Sequence, residues 1–236
     1  MEVPVLLTGT IAPSRSIPSL TLTDPETRWE QYARSIAHWL QNTPTQNLVF
    51  CENSGATKDF DSLLDLAANL EKHLEILQFQ GDQGKCISLG KGYGEGEIID
   101  FALSNSRILS QHRTFYKVTG RLTVSNFNRG HVWWNRRDTG FITMGIRSHL
   151  VDTRFFRTSQ ALYNECLRDA HAYVRDRDNI YLEHVFYDCL RRCQTSALLP
   201  LPKIEGVSGT SGDSYFVPGW KHGAKNIMGF LGFYRL

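Results

Sequence analysis

The chain has 236 residues, 41% of them hydrophobic and 21% charged, with 26 Lys and Arg against 24 Asp and Glu. This is ordinary globular composition in a chain long enough to bury a full core, and it excludes disordered, collagen-like and coiled-coil proteins. A net charge of +2 gives no reason to expect a nucleic-acid partner.

The N-terminal residues lack a basic n-region, and their apolar run is too short for a signal peptide. No apolar run approaches the ~20 residues of a membrane span, so the expected location is the cytoplasm. Cys51, Cys86, Cys166, Cys189 and Cys193 form no CxxC pair, which favours buried thiols over disulfides. Cys189 and Cys193 stand i,i+4 on an expected helix, but no second ligand pair suits zinc.

Val3 to Leu7 reads as a buried strand that ends in Thr8-Gly9-Thr10. Ile11 to Asp24 reads as loop. Asp24-Pro25-Glu26 then has the form of an N-cap, a Pro at N1 and an acidic first turn. The helix it opens carries Trp29, Tyr32, Ala33, Ile36 and Leu40 on one face. Leu48 to Cys51 is a second strand, ending in Glu52-Asn53-Ser54-Gly55. A second helix holds Leu63, Leu64, Leu66, Ala67 and Leu70, and Leu74 to Phe79 is a third strand. This alternation predicts a parallel α/β sheet with ligands at the carboxyl ends of its strands.

Gly90-Lys91-Gly92-Tyr93-Gly94-Glu95-Gly96 reads as a glycine-rich loop leading into a helix from 97 to 109. It is neither a Walker A loop nor a Rossmann fingerprint. Its backbone N–H groups and Lys91 could still meet an anion. Residues 115–124 alternate. Tyr116, Val118, Leu122 and Val124 fall on one face, with Lys117, Thr119, Arg121 and Thr123 on the other. Two cations in register on one strand suit a phosphate or carboxylate, and Gly120 would admit a ligand to the backbone. A strand at 151–156 and helices at 159–174 and 178–193 follow. On the last helix, Glu183 lies just outside the apolar arc of Leu182, Val185, Phe186, Cys189 and Leu190, where partial burial can raise a carboxyl pKa toward a general-base value. Residues 206–236 read as a mobile Gly-rich tail whose Lys221, His222 and Lys225 could close over an anion. No repeat or linker divides the chain, so one domain is expected.

Taken together, these elements resemble GT-A-type nucleotide-sugar glycosyltransferases. The likeness is to the small enzymes of bacterial capsule and lipopolysaccharide synthesis, above all the galactofuranosyltransferase-like group. It covers roughly residues 3–195 and rests on the strand ends Thr8-Gly9-Thr10 and Glu52-Asn53-Ser54-Gly55, the Gly-rich loop, Lys117-Val118-Thr119-Gly120-Arg121 and Tyr181-Leu182-Glu183-His184.

The resemblance implies a single Rossmann-like domain with a mostly parallel sheet. Residues 1–125 would bind a nucleotide sugar and 126–205 would carry the acceptor and catalytic half. Thr8, Gly9, Thr10, Glu52, Asn53, Gly90, Lys91, Gly92, Tyr93, Thr119, Gly120, His222 and Lys225 are the expected donor-binding residues. Lys117 and Arg121 would neutralise the diphosphate, and Glu183 would be the base of an inverting transfer. Trp133 and Trp134 would offer faces to sugars. The family's Asp-x-Asp is missing after the relevant strand. Asp176-Arg177-Asp178 has that spelling but reads as the start of the Glu183 helix. No cofactor is therefore expected, and a divalent metal is not favoured. The implied partners are a nucleotide-sugar donor, a saccharide or lipid-linked acceptor, and peripheral contact with the inner membrane or other synthesis enzymes. Two other readings stand beside this one: a different nucleotide- or phosphate-utilising α/β enzyme, and a non-catalytic carbohydrate-binding module.

Overall fold

A computed structural model describes residues 2–17, 20–146, 148–207, 214–215 and 218–236. The βα alternation of the first 80 residues forms as the pattern predicts. Strand β1 (Val5–Gly9), helix α1 (Pro25–Asn42), strand β2 (Asn47–Glu52), helix α2 (Asp61–Asn69) and strand β3 (His73–Gln78) follow in order. The Asp24 carboxylate caps α1 by accepting from the Thr27 N–H at 2.8 Å, with Pro25 at N1.

Helices α3 (Gln83–Leu89), α4 (Lys91–Asn105) and α5 (Arg107–Ser110) lead to strand β4 (Thr114–Thr119). Strand β5 (Leu122–Val124), helix α6 (Phe127–Trp134) and strand β6 (Phe155–Ser159) follow. The central sheet has the order β3-β2-β1-β4-β6. Its first four strands are parallel, and β6 runs antiparallel to β4 at the edge.

Both faces are covered, as a parallel sheet requires. Val5, Leu7, Phe50, Tyr116 and Val118 pack with Tyr32, Ile36 and Trp39 of α1 and Leu63 and Ala67 of α2. Leu6, Val49, Cys51 and Phe115 pack with Ile98, Ile99 and Ala102 of α4 on the other side. The chain leaves β1 toward β2 on one flank and later returns as β4 on the other. The carboxyl ends of β1 and β4 therefore border a topological switch point, where a crevice opens.

Several expectations change. Residues 115–124 are not one strand. The chain turns at Gly120-Arg121, and β5 leaves the central sheet to pair with β7 (Ile204–Gly206). Two buried side chains hold it there: the Leu122 carbonyl accepts from Ser35 Oγ and Trp39 Nε1 at 3.0 and 3.1 Å. The expected helix at 159–174 is a short α7 (Gln160–Leu162), a π turn (Tyr163–Leu167) and a 3-10 turn (Ala170–Tyr173). Helix α8 spans Leu182–Leu190, shorter than expected.

The expected mobile tail is helical from Gly219 to Phe230 (α9), and residues 208–213, 216 and 217 lie outside the described set. Cys166 and Cys193 form a disulfide, against the expectation of thiols only. The π turn brings Cys166 to the residues just past α8, a closeness that sequence separation does not reveal. Cys51 and Cys86 are buried thiols. Among the described residues, no helix is long and apolar enough to cross a membrane.

Candidate functional site

At the switch point lies a cavity of about 310 Å³. Its wall includes Thr8, Gly9 and Thr10 from the end of β1 and Thr119 and Arg121 from the end of β4. Lys91 and Glu95 come from α4, Glu183 from α8, and Arg28 and Tyr32 from α1. Seven of the expected residues thus meet in one place, although they are spread over more than 170 positions of sequence.

One corner is cationic. Arg28 is buried, and its three guanidinium nitrogens donate to the carbonyls of Thr10 (2.6 Å) and Leu22 (3.0 Å) and to Tyr32 Oη (3.0 Å). Arg121 donates through Nη1 to the Val207 carbonyl at 3.0 Å and to Gln31 Oε1 at 3.4 Å, while its Nε is buried without a partner. Among the described residues, neither guanidinium has a carboxylate within ion-pair distance. Both lie against the Tyr32 ring, at 5.7 and 6.0 Å from its centroid. Burial pushes the Tyr32 phenol up, but the charges of Arg28 and Arg121 outweigh it and hold the pKa below the usual phenol value. Two guanidiniums with no carboxylate partner among the described residues, flanking one cavity, suit an anion.

The other side holds carboxylates. Glu183 is partly buried, and its Oε1 accepts from Thr153 Oγ1 at 3.0 Å. Burial, and then the nearby charge of Glu95, raise its pKa above the ordinary carboxylate range. Glu95 differs in its partners. It forms an ion pair with Lys117 and accepts from Thr119 Oγ1 at 3.0 Å. Two carboxylates in one cavity, one paired with a cation and one pushed toward its protonated form, have distinct acid–base roles available.

Lys117 keeps the strand face that the alternation gave it but does not reach the cavity. It occupies the same strand face as Thr119 but is wholly buried behind the cavity wall. Its ammonium is held by Glu95, by the Thr153 carbonyl at 2.7 Å and by Thr119 Oγ1 at 3.2 Å. The charge expected to face a phosphate is consumed in orienting Glu95. Lys117→Met, which leaves that carboxylate without its cation, is expected to lower the unfolding free energy by about 3 kcal/mol, read from urea denaturation.

The glycine-rich segment is also corrected. Lys91 to Gly96 is the first part of α4, so it is helix and not an anion-cradling loop. The Asp176 carboxylate already sits at that helix start and accepts from the Lys91 N–H at 3.0 Å. The glycines serve packing. A Cβ on Gly90 would strike Asp176, and one on Gly92 would lie 2.9 Å from Leu182 Cβ. Tyr93 is buried with Ile17 and Cys86, away from the cavity.

Glu52 is fully buried, and its Oε1 accepts from the Ile11 and Ser54 N–H groups at 3.0 and 2.7 Å, so it shapes the loop after β1. Asn53 Oδ1 accepts from Thr10 Oγ1 at 2.6 Å and faces a smaller pocket beside the cavity. Gly120 does not open the backbone to a ligand. Its N–H donates to the Thr8 carbonyl at 2.8 Å, and a Cβ there would meet that same oxygen at 2.6 Å.

His222 and Lys225 line a second cavity of about 240 Å³, which shares Met144, Arg154 and Tyr215 with the first. Arg154 is clamped by both oxygens of Asp152, at 2.8 and 2.7 Å, and lies 4.7 Å from the Tyr215 ring centroid. Trp134 is buried, and exposed Trp133 borders a different groove, so neither reaches the site.

Two of the carboxylates that a metal of the Asp-x-Asp kind could use are already engaged. Asp176 is committed to the α4 start, and Glu95 is committed to Lys117. Among the described residues, no group of three His, Cys, Asp or Glu side chains is arranged to hold a metal. No protein-family model matches the sequence, and no curated protein matches it at a significant level.

Proposed function

We propose that the chain is a GT-A-type glycosyltransferase of surface polysaccharide synthesis. In this reading it moves a sugar from a nucleoside diphosphate sugar to a saccharide acceptor with inversion. The observation that carries the reading is the meeting of Arg28 and Arg121, which have no carboxylate partner among the described residues, with Glu183, raised in pKa, in one switch-point cavity.

Arg121 and Arg28 receive the diphosphate and stabilise the charge that develops on it as the glycosidic bond breaks, the task a metal performs in other enzymes. Glu183 takes the proton from the acceptor hydroxyl as that oxygen attacks the anomeric carbon. The second cavity, across the Arg154–Tyr215 wall, takes the acceptor and holds it in line with the donor.

A screen of nucleotide sugars, with and without EDTA, tests this reading. The expected result is transfer from one or a few diphosphate donors, unchanged by EDTA. Stabilisation by a nucleoside diphosphate without sugar transfer or release under any condition would instead support a different phosphate-utilising enzyme. Glycan binding with no donor turnover would support a binding module.

A further inference from the structure

Helix α9 turns its apolar face outward. Trp220, Ile227, Phe230 and Leu231 are 74%, 65%, 63% and 70% exposed. With Gly223 and Ala224 they fall at helical spacing along a single stripe. The opposite face fastens the helix to the protein through polar and small residues. Asn226 Oδ1 accepts from the Leu201 N–H at 2.6 Å, and Gly229 lets the backbone approach Leu199 and Leu201. A surface helix usually buries such a stripe. Here the stripe is the part left uncovered.

The charged residues of this segment are all of one sign. Lys221 borders the stripe and Arg235 follows it, while residues 218–236 contain no Asp or Glu. Lys221 Nζ lies 5.3 Å from the Trp220 ring centroid. A second copy of the chain docked on this face by a twofold axis would bring these cations together. An anionic lipid surface complements both features, because Trp, Ile and Phe enter the interface while lysines meet the headgroups. Twelve residues make a helix of about 18 Å, which can lie on a bilayer but not cross it.

We propose that the outer face of α9 seats the protein on an anionic membrane surface. The inference stands independently of the glycosyl-transfer reading.

Flotation of the full chain with phosphatidylcholine vesicles, with or without phosphatidylglycerol, is the test. Two cations, Lys221 and Arg235, predict roughly thirtyfold tighter binding to the anionic vesicles, lost in high salt. Lys221→Glu should weaken it roughly thirtyfold. Joint Ile227→Glu and Phe230→Glu should abolish it with unchanged Tm, because both side chains are exposed. The proposal fails if the wild-type chain stays unbound at low salt, or if the double variant floats as well as wild type. It fails equally if that double variant merely converts a dimer to a monomer.

Discussion

Glu183→Gln is expected to lower kcat by about 10²–10⁴-fold with little change in donor affinity, because it removes a proton acceptor and leaves the cavity's shape intact. Steady-state transfer assays with the donor found by screening check this. In the proposed mechanism Glu183 acts ionised, and burial together with Glu95 raises its pKa. Wild-type kcat should therefore fall on the acid side at a pH above the ordinary carboxylate range, and the residual activity of the variant should lack that limb.

Stability gives an independent sign. The folded chain keeps the Glu183 proton at pH values where the unfolded chain has released it. Ionised Glu183 thus costs stability above the ordinary carboxylate range, and the cost disappears as pH falls through it. Glutamine can still accept from Thr153 and carries no charge. The variant should match or exceed the wild-type Tm at neutral pH, with no advantage in acid. A Glu183 that held the fold together would give the reverse, a lower Tm for the variant at neutral pH.

Arg121→Ala is expected to cost about 10²–10³-fold in kcat/KM, the range for losing one preorganised donor to developing charge. Arg121 is a cleaner probe than Arg28. Arg28 ties together two carbonyls and the Tyr32 hydroxyl, so its loss would loosen the loop after β1. Arg121 makes two hydrogen bonds and leaves Nε without a partner. Isothermal titration with a nucleoside diphosphate should show weaker binding by the variant. Binding that is unchanged, in a variant that folds normally, would remove the diphosphate from this corner of the cavity. A second consequence is confined to Tyr32, whose phenol should titrate higher once one of its two flanking guanidiniums is gone.

The first three βα units were legible because apolar runs and caps are local signals. So was the gathering of Thr8, Thr10 and Arg121, since strand ends of a parallel sheet share one edge, whereas Glu183 reaches the cavity from a helix and was expected there through the resemblance. The glycine-rich stretch misled because glycine marks turns more often than helices, whereas in α4 each glycine lets another element come close. Reading it as loop also hid Glu95, which stands on the α4 face of Ile98, Ile99 and Ala102 once the helix starts at Lys91. Arg28 carried a readable signal: it shares a buried stripe with Tyr32, Ile36 and Trp39, where a lone cation is out of place. Lys117 and Arg121 looked equivalent by alternation. They part because the chain turns between them and because Glu95 arrives from a distant helix to claim the lysine.

Thr153 sets how the chain can be divided. Its carbonyl holds the Lys117 ammonium and its hydroxyl holds Glu183. It lies two residues before β6, the edge strand that completes the sheet beside β4. A fragment ending near residue 125 would keep both cationic arginines but lose the oxygen that braces Lys117, the edge strand and Glu183. The arginine corner and Glu183 therefore cannot be divided between two fragments without breaking these contacts. The same long-range closure makes the site a late event in folding, complete only when the last helix of its wall has docked.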